Sequence, residues 1–332
     1  MRRCQLEENL TRVEMEGMRF PLGVYPVEAL TPVQGYLLEF EPADGDDEEG
    51  EWEEWPDRYV FDIVITADRV EALCRQLFAL LPGRVYPILD YMGHDAYREI
   101  DPYMGYELIG QDRFMDAVRR YRDFFFEDGM VGFGAQCDDP FAYVFVDEHK
   151  IVTVRVPPEL KESVEHVLRA FDLEEVPEPR GADSAAHEHR GVLLAPNDQP
   201  ELMSGEEIVE RLRDEWRLVL NVDAERNVND EGDELGVTDW RCLVRCATER
   251  DPRDRYLEIL LRAEALGEAE DLATETASSR IDRQTAGSWV DLVVVAADRM
   301  APEQTKEALG EAASGGGGDS DTGDGILSVR WL

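Results

Sequence analysis

Histidine beside carboxylate and arginine is the side-chain mixture best able to move protons or hold a metal, and segment 90–107 concentrates it. His94 and Asp95 are adjacent, Arg98, Glu99 and Asp101 follow closely, and Tyr91, Tyr97, Tyr103 and Tyr106 surround them. The segment follows an expected strand, and loops so placed often carry function. His94, Asp95, Arg98, Glu99 and Asp101 are therefore the candidate catalytic set. A tyrosine-rich loop whose hydroxyls satisfy backbone groups is the competing explanation. Convergence of His94 and Asp95 in a deep pocket with His149 or the Asp138–Asp139 pair would favour catalysis; a flat surface or a packed His94 favours a binding protein.

Other motifs fit poorer chemistry. Gly129, Gly132 and Gly134 follow a helix and occupy a strand-like segment, the reverse of the order that cradles phosphate at a helix N-terminus. A bulge or a close backbone approach suits them better. Cys137 precedes Asp138 and Asp139, whose charges oppose thiolate formation. His187 and His189, two apart, point the same way in an extended chain, yet two ligands do not close a metal site, and they fall in an expected linker. Cys242 and Cys246 share one face of an expected strand and suit packing. Asp223, Glu225, Asn227, Asn229 and Glu234 occupy calcium-loop positions, but Val228 stands where the loop needs glycine. The acidic runs 44–54 and 319–325 lack the terminal bidentate glutamate. No metal and no cofactor is assigned.

The elements that must position these residues belong to a chain of 332 residues with 74 acidic and 34 basic side chains, a net charge of -40. Such a charge repels nucleic-acid phosphate and anionic membrane, so neither is an expected partner, and it steers basic proteins toward the chain. Either a salt-rich cytosol or a GC-rich genome accounts for the acidity. Apolar residues make up 43% of the chain, enough for packed cores despite the charge. The start, Met1-Arg2-Arg3, is followed by acidic residues rather than an apolar run, unlike an export signal, and no stretch reaches membrane-spanning length. Five scattered cysteines indicate reduced thiols and a cytoplasmic location.

Alternation and helical spacing predict strands at 34–41, 58–66 and 84–90, with a helix at 67–81 carrying Val70, Leu73, Leu77 and Leu80 on one stripe. A helix at 111–127, a strand at 130–135, and a hairpin of 141–146 with 151–156 follow. Pro157 and Pro158 open a helix to about 170, and 172–176 reads as a further strand. Ser204 and Glu207 form a capping-box pattern ahead of a helix at 204–215. Strands are expected at 217–222, 240–246, 256–261, 289–296 and 326–331, with a helix at 302–309.

These elements predict an α+β fold: mixed, mainly antiparallel sheets with helices on one face, as in ferredoxin-like β-α-β units. Two domains are expected, 1–176 and 201–332, joined by a linker at 177–200. Asp57-Arg58-Tyr59 echoes Asp254-Arg255-Tyr256, and Asp68-Arg69 echoes Asp298-Arg299, the marks of a diverged internal repeat. No motif assigns a family. The expected function is that of a cytoplasmic, non-catalytic binding or regulatory protein acting on a macromolecule, such as a basic protein partner, or on a small molecule. Mimicry of nucleic acid is a special case, and a metal-assisted hydrolase at His94–Asp95 is the rival.

Overall fold

The computed structural model describes residues 4–43, 55–194, 199, 202–249, 255–281, 290–314 and 325–332. The acidic run 44–54, the first three residues and nearly all of 315–325 lie outside the described residues. The fold is mixed α+β, with predominantly antiparallel sheets. Contacts divide the chain into two compact units, Met1–Tyr91 with Pro102–Asn221, and Met92–Asp101 with Val222–Leu332.

Alternation organises the sheet of the first unit. In Phe141–Val146 the residues Ala142, Val144 and Val146 are buried, while Phe141, Tyr143 and Phe145 face the other side. Register carries the buried row across the sheet: Val144 lies opposite Ala135 and Val154, Val146 opposite Phe133 and Val152, and Val154 opposite Phe61. The strand order is Leu218–Leu220, Asp101–Gly105, Arg84–Tyr91, Val131–Asp138, Phe141–Val146, Val152–Val156, Arg58–Val64, Gly35–Glu41. Helix Ala67–Phe78 lays Val70, Leu73, Cys74, Leu77 and Phe78 into this core, the spacing of a single helical stripe.

The expected helix over 111–127 is broken at Tyr121, giving Gln111–Arg120 and Arg122–Glu127. Phe124, Phe125 and Phe126 fan around the short second helix and all three are buried. Phe125 stacks on Trp216 at 5.9 Å and lies tilted 4.5 Å from Phe133.

Three expectations are corrected in this unit. Residues 172–176 form no strand: Asp172 adopts a left-handed φ of 52°, and only a single parallel bridge joins Glu175 to Tyr36. Within 177–200, His187–His189 is a strand paired antiparallel with Val24–Pro26, so this stretch is built into the first unit rather than being a bare linker. Residues 201–221, expected with the C-terminal body, also belong to the first unit, because helix Gly205–Trp216 buries Ile208, Leu212 and Trp216 in its core. Its capping box forms as the sequence suggests, with Ser204 and Glu207 bonding reciprocally.

The second unit is a four-stranded antiparallel sheet in the order Val290–Met300, Thr238–Thr248, Arg255–Ala263, Ile326–Trp331. Helix Pro302–Ser314 is present. Helix Leu266–Arg280 was not expected. Its buried face is Ala269, Ala273 and Ala277, an alanine row too weakly apolar to register as a stripe. Alanine there lets the helix lie close to the sheet. Ala273→Leu should destabilise the protein by about 1–3 kcal/mol through overpacking, read as a lower urea midpoint with an unchanged slope. A midpoint at or above that of the parent would contradict close helix–sheet packing.

Candidate metal centre

His149 sits on the tight turn between Phe141–Val146 and Val152–Val156. Asp147 builds that turn: its Oδ1 accepts the Ile151 amide at 2.7 Å, and its carbonyl accepts the Lys150 amide at 3.1 Å. Lys150 takes a left-handed φ of 67° and turns inward, only 3% exposed, donating to the carbonyls of Val131 and Asp147. Burial pulls its ammonium down to about 8, against the charges of Asp128, Asp147 and Glu148. With Lys150 anchored beneath, His149 is left facing the 187–189 strand.

That strand presents His187 and His189 on one side and Glu188 on the other. Its placement depends on two glycines. Gly129 donates to the Arg190 carbonyl at 3.2 Å, and Arg190 donates to the Gly23 carbonyl at 2.9 Å. A Cβ on Gly23 or Gly129 would collide with the other's backbone, so the crossing needs glycine at both. Asp128, 2% exposed, fastens the next residues by accepting the amides of Met130 at 2.9 Å and Val192 at 3.0 Å.

The result is a triangle of imidazole nitrogens. Nε2 of His149 lies 2.9 Å from Nε2 of His187 and 3.3 Å from Nε2 of His189, and the last two are 3.1 Å apart. The rings meet at 73° to 78°, like blades around a shared axis rather than a stack. The outer nitrogens are all engaged. His187 Nδ1 donates to the Ala185 carbonyl and His189 Nδ1 to the Gly129 carbonyl, each at 2.7 Å. His149 Nδ1 faces Asp147 Oδ2 at 3.4 Å and Glu148 Oε1 at 3.3 Å.

Carbonyl oxygen only accepts, so Nδ1 carries the proton in His187 and His189, and a neutral imidazole then offers a lone pair at Nε2. His149, facing carboxylates, takes the same tautomer. With His149 neutral, three lone pairs converge, a repulsion that either a proton on His149 Nε2 or a cation among the rings relieves. Tetrahedral geometry with Zn–N near 2.0–2.1 Å sets nitrogen neighbours about 3.3 Å apart. The observed edges match within a few tenths of an ångström.

The protonation tendencies of two of the rings run in opposite directions. Burial, with the neighbouring His149, His187 and Lys150, pushes His189 down to about 4 against its bond to Gly129, so it is neutral at pH 7. At His149 burial opposes the charged ring, but Asp147, Glu148 and Asp183 outweigh it and raise the imidazole above its ordinary value.

Comparison of the chain with protein-family models, with curated proteins and with solved structures found no match. No family is assigned. The chemistry of this chain therefore rests on its own geometry.

The sequence candidates lie in the second unit, where they form a structural tie. Asp95 is 9% exposed and accepts the Tyr97 amide at 2.9 Å, the Arg299 amide at 3.0 Å and the Arg299 guanidinium at 2.9 Å. Arg299 also donates to Asn227 Oδ1 at 3.1 Å and lies over the rings of Tyr97 and Trp240. Arg98 pairs with Asp101 at 2.6 Å, and the Glu99 amide donates to Asp230 at 2.9 Å. His94 stands near Asp298. The structure thus joins Asp95 to Arg299, a partner the sequence did not suggest, and Arg98 to both Asp101 and, at 3.8 Å, Asp95. Asn227, counted above among calcium positions, instead bonds Thr238 and Arg299.

The cysteines are also accounted for. Burial, with Asp138 and Asp139 adding to it, raises Cys137 to about 11 against its bond from the Ala142 backbone. Cys242 and Cys246 are buried in the second sheet.

Asp298 supplies a test of the tie's electrostatics. Burial, then the charge of Asp101, raises it to about 6, so the folded state holds a proton that the unfolded chain releases near pH 4. Stability from this group is full below pH 4, falls as pH rises toward 6, and is lost above. Asp298→Asn should stabilise the protein by about 1–2 kcal/mol at pH 7.5 and remove part of the slope between pH 4 and 6 in urea titrations. An unchanged slope would show that Asp298 is ionised normally.

Proposed function

We propose that this protein binds a divalent transition metal of the zinc class through His149, His187 and His189. The observation that carries this reading is the convergence of three Nε2 atoms at 2.9, 3.1 and 3.3 Å, with their outer nitrogens held by carbonyls and carboxylates. Metal-bound histidines almost always donate their second nitrogen in this way, which fixes the tautomer and raises ligand basicity. Neutral nitrogen donors in a tetrahedral arrangement suit zinc, and Co²⁺ serves as its spectroscopic stand-in. Relative to the function expected from sequence, the metal-dependent alternative gains and its place moves from His94–Asp95 to the first unit.

The ligands arrive from two segments, the Asp147–Lys150 turn and the His187–His189 strand. That strand has three residues and, among the described residues, pairs with Val24–Pro26 alone, too little pairing to be stable on its own. A metal would clasp both segments to the sheet. The five buried, unbridged cysteines fit a reducing cytoplasm, and the acidic exterior supports encounter with basic partners that weakens as salt rises.

Calorimetric titration of the metal-free full chain with zinc should give one site per chain. His187→Ala or His149→Ala should weaken it at least about 100-fold, and His94→Ala should leave it unchanged. Because His149 titrates above its ordinary value, protons already compete at neutral pH. Affinity should fall by about tenfold for each unit the pH drops below the His149 value. Zinc affinity equal in parent and His187→Ala proteins would refute the site.

Hydrogen exchange offers an independent readout. Amides of 182–190 and of Val24 and Tyr25 should exchange at least about tenfold faster in the metal-free protein than in the zinc-loaded one, with the strands Phe141–Val146 and Val152–Val156 little changed. Equal protection in both forms would contradict the clasp.

A further inference from the structure

We propose that the coordination position left open by His149, His187 and His189 carries a water that hydrolyses neutral or cationic acyl esters and discriminates against anionic ones. This rests on the metal reading above. Among the described residues, no further Asp, Glu, Cys or His brings a ligand atom within 4.8 Å of all three histidine nitrogens. Structural zinc sites are closed by a fourth protein ligand, whereas three protein ligands plus water mark reactive ones. The histidine side chains are partly exposed, 15% for His149, so a small molecule can approach.

The chemistry needs no other reagent. Three neutral nitrogens leave the ion's charge undiminished, and water bound to such an ion ionises near pH 7, giving its proton to solvent. The resulting hydroxide attacks the acyl carbon and forms a new C–O bond. The C–O bond to the leaving group then breaks, and the departing oxygen takes a proton from solvent when its basicity demands one. One water is consumed, an acid and an alcohol are released, and a second water refills the position.

Charge around the ion sets the substrate class. Asp147 and Glu148 lie 3.4 Å and 3.3 Å from His149 Nδ1, and Asp183 acts on the same ring. Asp128 is buried on the Lys150 side. Lys150 interacts with Asp128, Asp147 and Glu148, while Glu127 is paired with Arg12; with a divalent ion, Lys150 leaves Asp128, Asp147, Glu148 and Asp183 one charge in excess. The whole chain adds a field of -40. An anionic acyl group meets repulsion on approach and at the ion's rim, while a neutral or cationic one does not.

The test uses the zinc-loaded full chain and three p-nitrophenyl esters: the acetate, a trimethylammonio-acyl ester and the hemisuccinate. Each rate is normalised to that ester's hydroxide hydrolysis, and metal content is read separately from the visible spectrum of the cobalt form. The expected result is kcat/KM at least about tenfold higher for the neutral and cationic esters than for the hemisuccinate. Turnover should vanish in His187→Ala, and the charge preference should narrow in Asp183→Asn. Bound metal with turnover no faster than that of free zinc would overturn the hydrolytic inference while leaving the metal centre intact. Hemisuccinate cleaved as fast as the acetate would overturn the charge preference, and a chain that binds neither zinc nor cobalt would overturn both readings.

Discussion

Two backbone carbonyls, those of Ala185 and Gly129, decide the chemistry of the histidine triangle. Each accepts a hydrogen bond from an Nδ1 at 2.7 Å, and that single constraint turns the lone pairs of His187 and His189 toward one another. Without the carbonyls the rings could choose tautomers that bond to each other and need no ion. The surrounding structure serves this constraint. The Gly23–Gly129 crossing puts one carbonyl in place, Asp128 fastens the chain beside it, and Lys150 anchors the turn that delivers His149. Groups that hold a histidine's other nitrogen fix the tautomer and aim the ring at an ion.

The parts of the fold legible in the sequence are those with a repeated local pattern. Phe141–Val146 and Val152–Val156 alternate cleanly, and Ala67–Phe78 carries its buried residues at helical spacing. Ser204 and Glu207 announce the start of their helix at three-residue range. Where the buried face is alanine, as in Leu266–Arg280, the pattern loses contrast and the helix is invisible. His187–His189 is too short to display any period, so its polar surroundings suggested a linker.

The site was half legible for the same reason. His187 and His189 at alternate positions are a local signal, and their shared face follows from extended backbone alone. The third ligand lies 38 residues away from His187 on a hairpin turn, and no spacing rule reaches across that distance. A signal did exist: His149 occupies the tip of a turn, where a side chain is free to meet another segment. In the other unit, Asp95 is tied to Arg299 across 204 residues, which turned an arresting local cluster into a buried structural pair. Charge density drew attention to segment 90–107, whereas the arrangement of a few neutral rings proves the more informative feature. The carboxylates of Asp95, Asp101, Asp123 and Asp128 are buried despite an overall charge that speaks of surface, and the Asp95, Asp101 and Asp128 groups bond to amides or arginines.

If three histidine nitrogens hold the ion and a small molecule takes the remaining position, X-ray absorption at the zinc edge of the loaded full chain should show three imidazole nitrogens at about 2.0 Å and one further oxygen, with no sulfur. A sulfur shell near 2.3 Å, or fewer than three imidazoles, would place the ion elsewhere and contradict that arrangement.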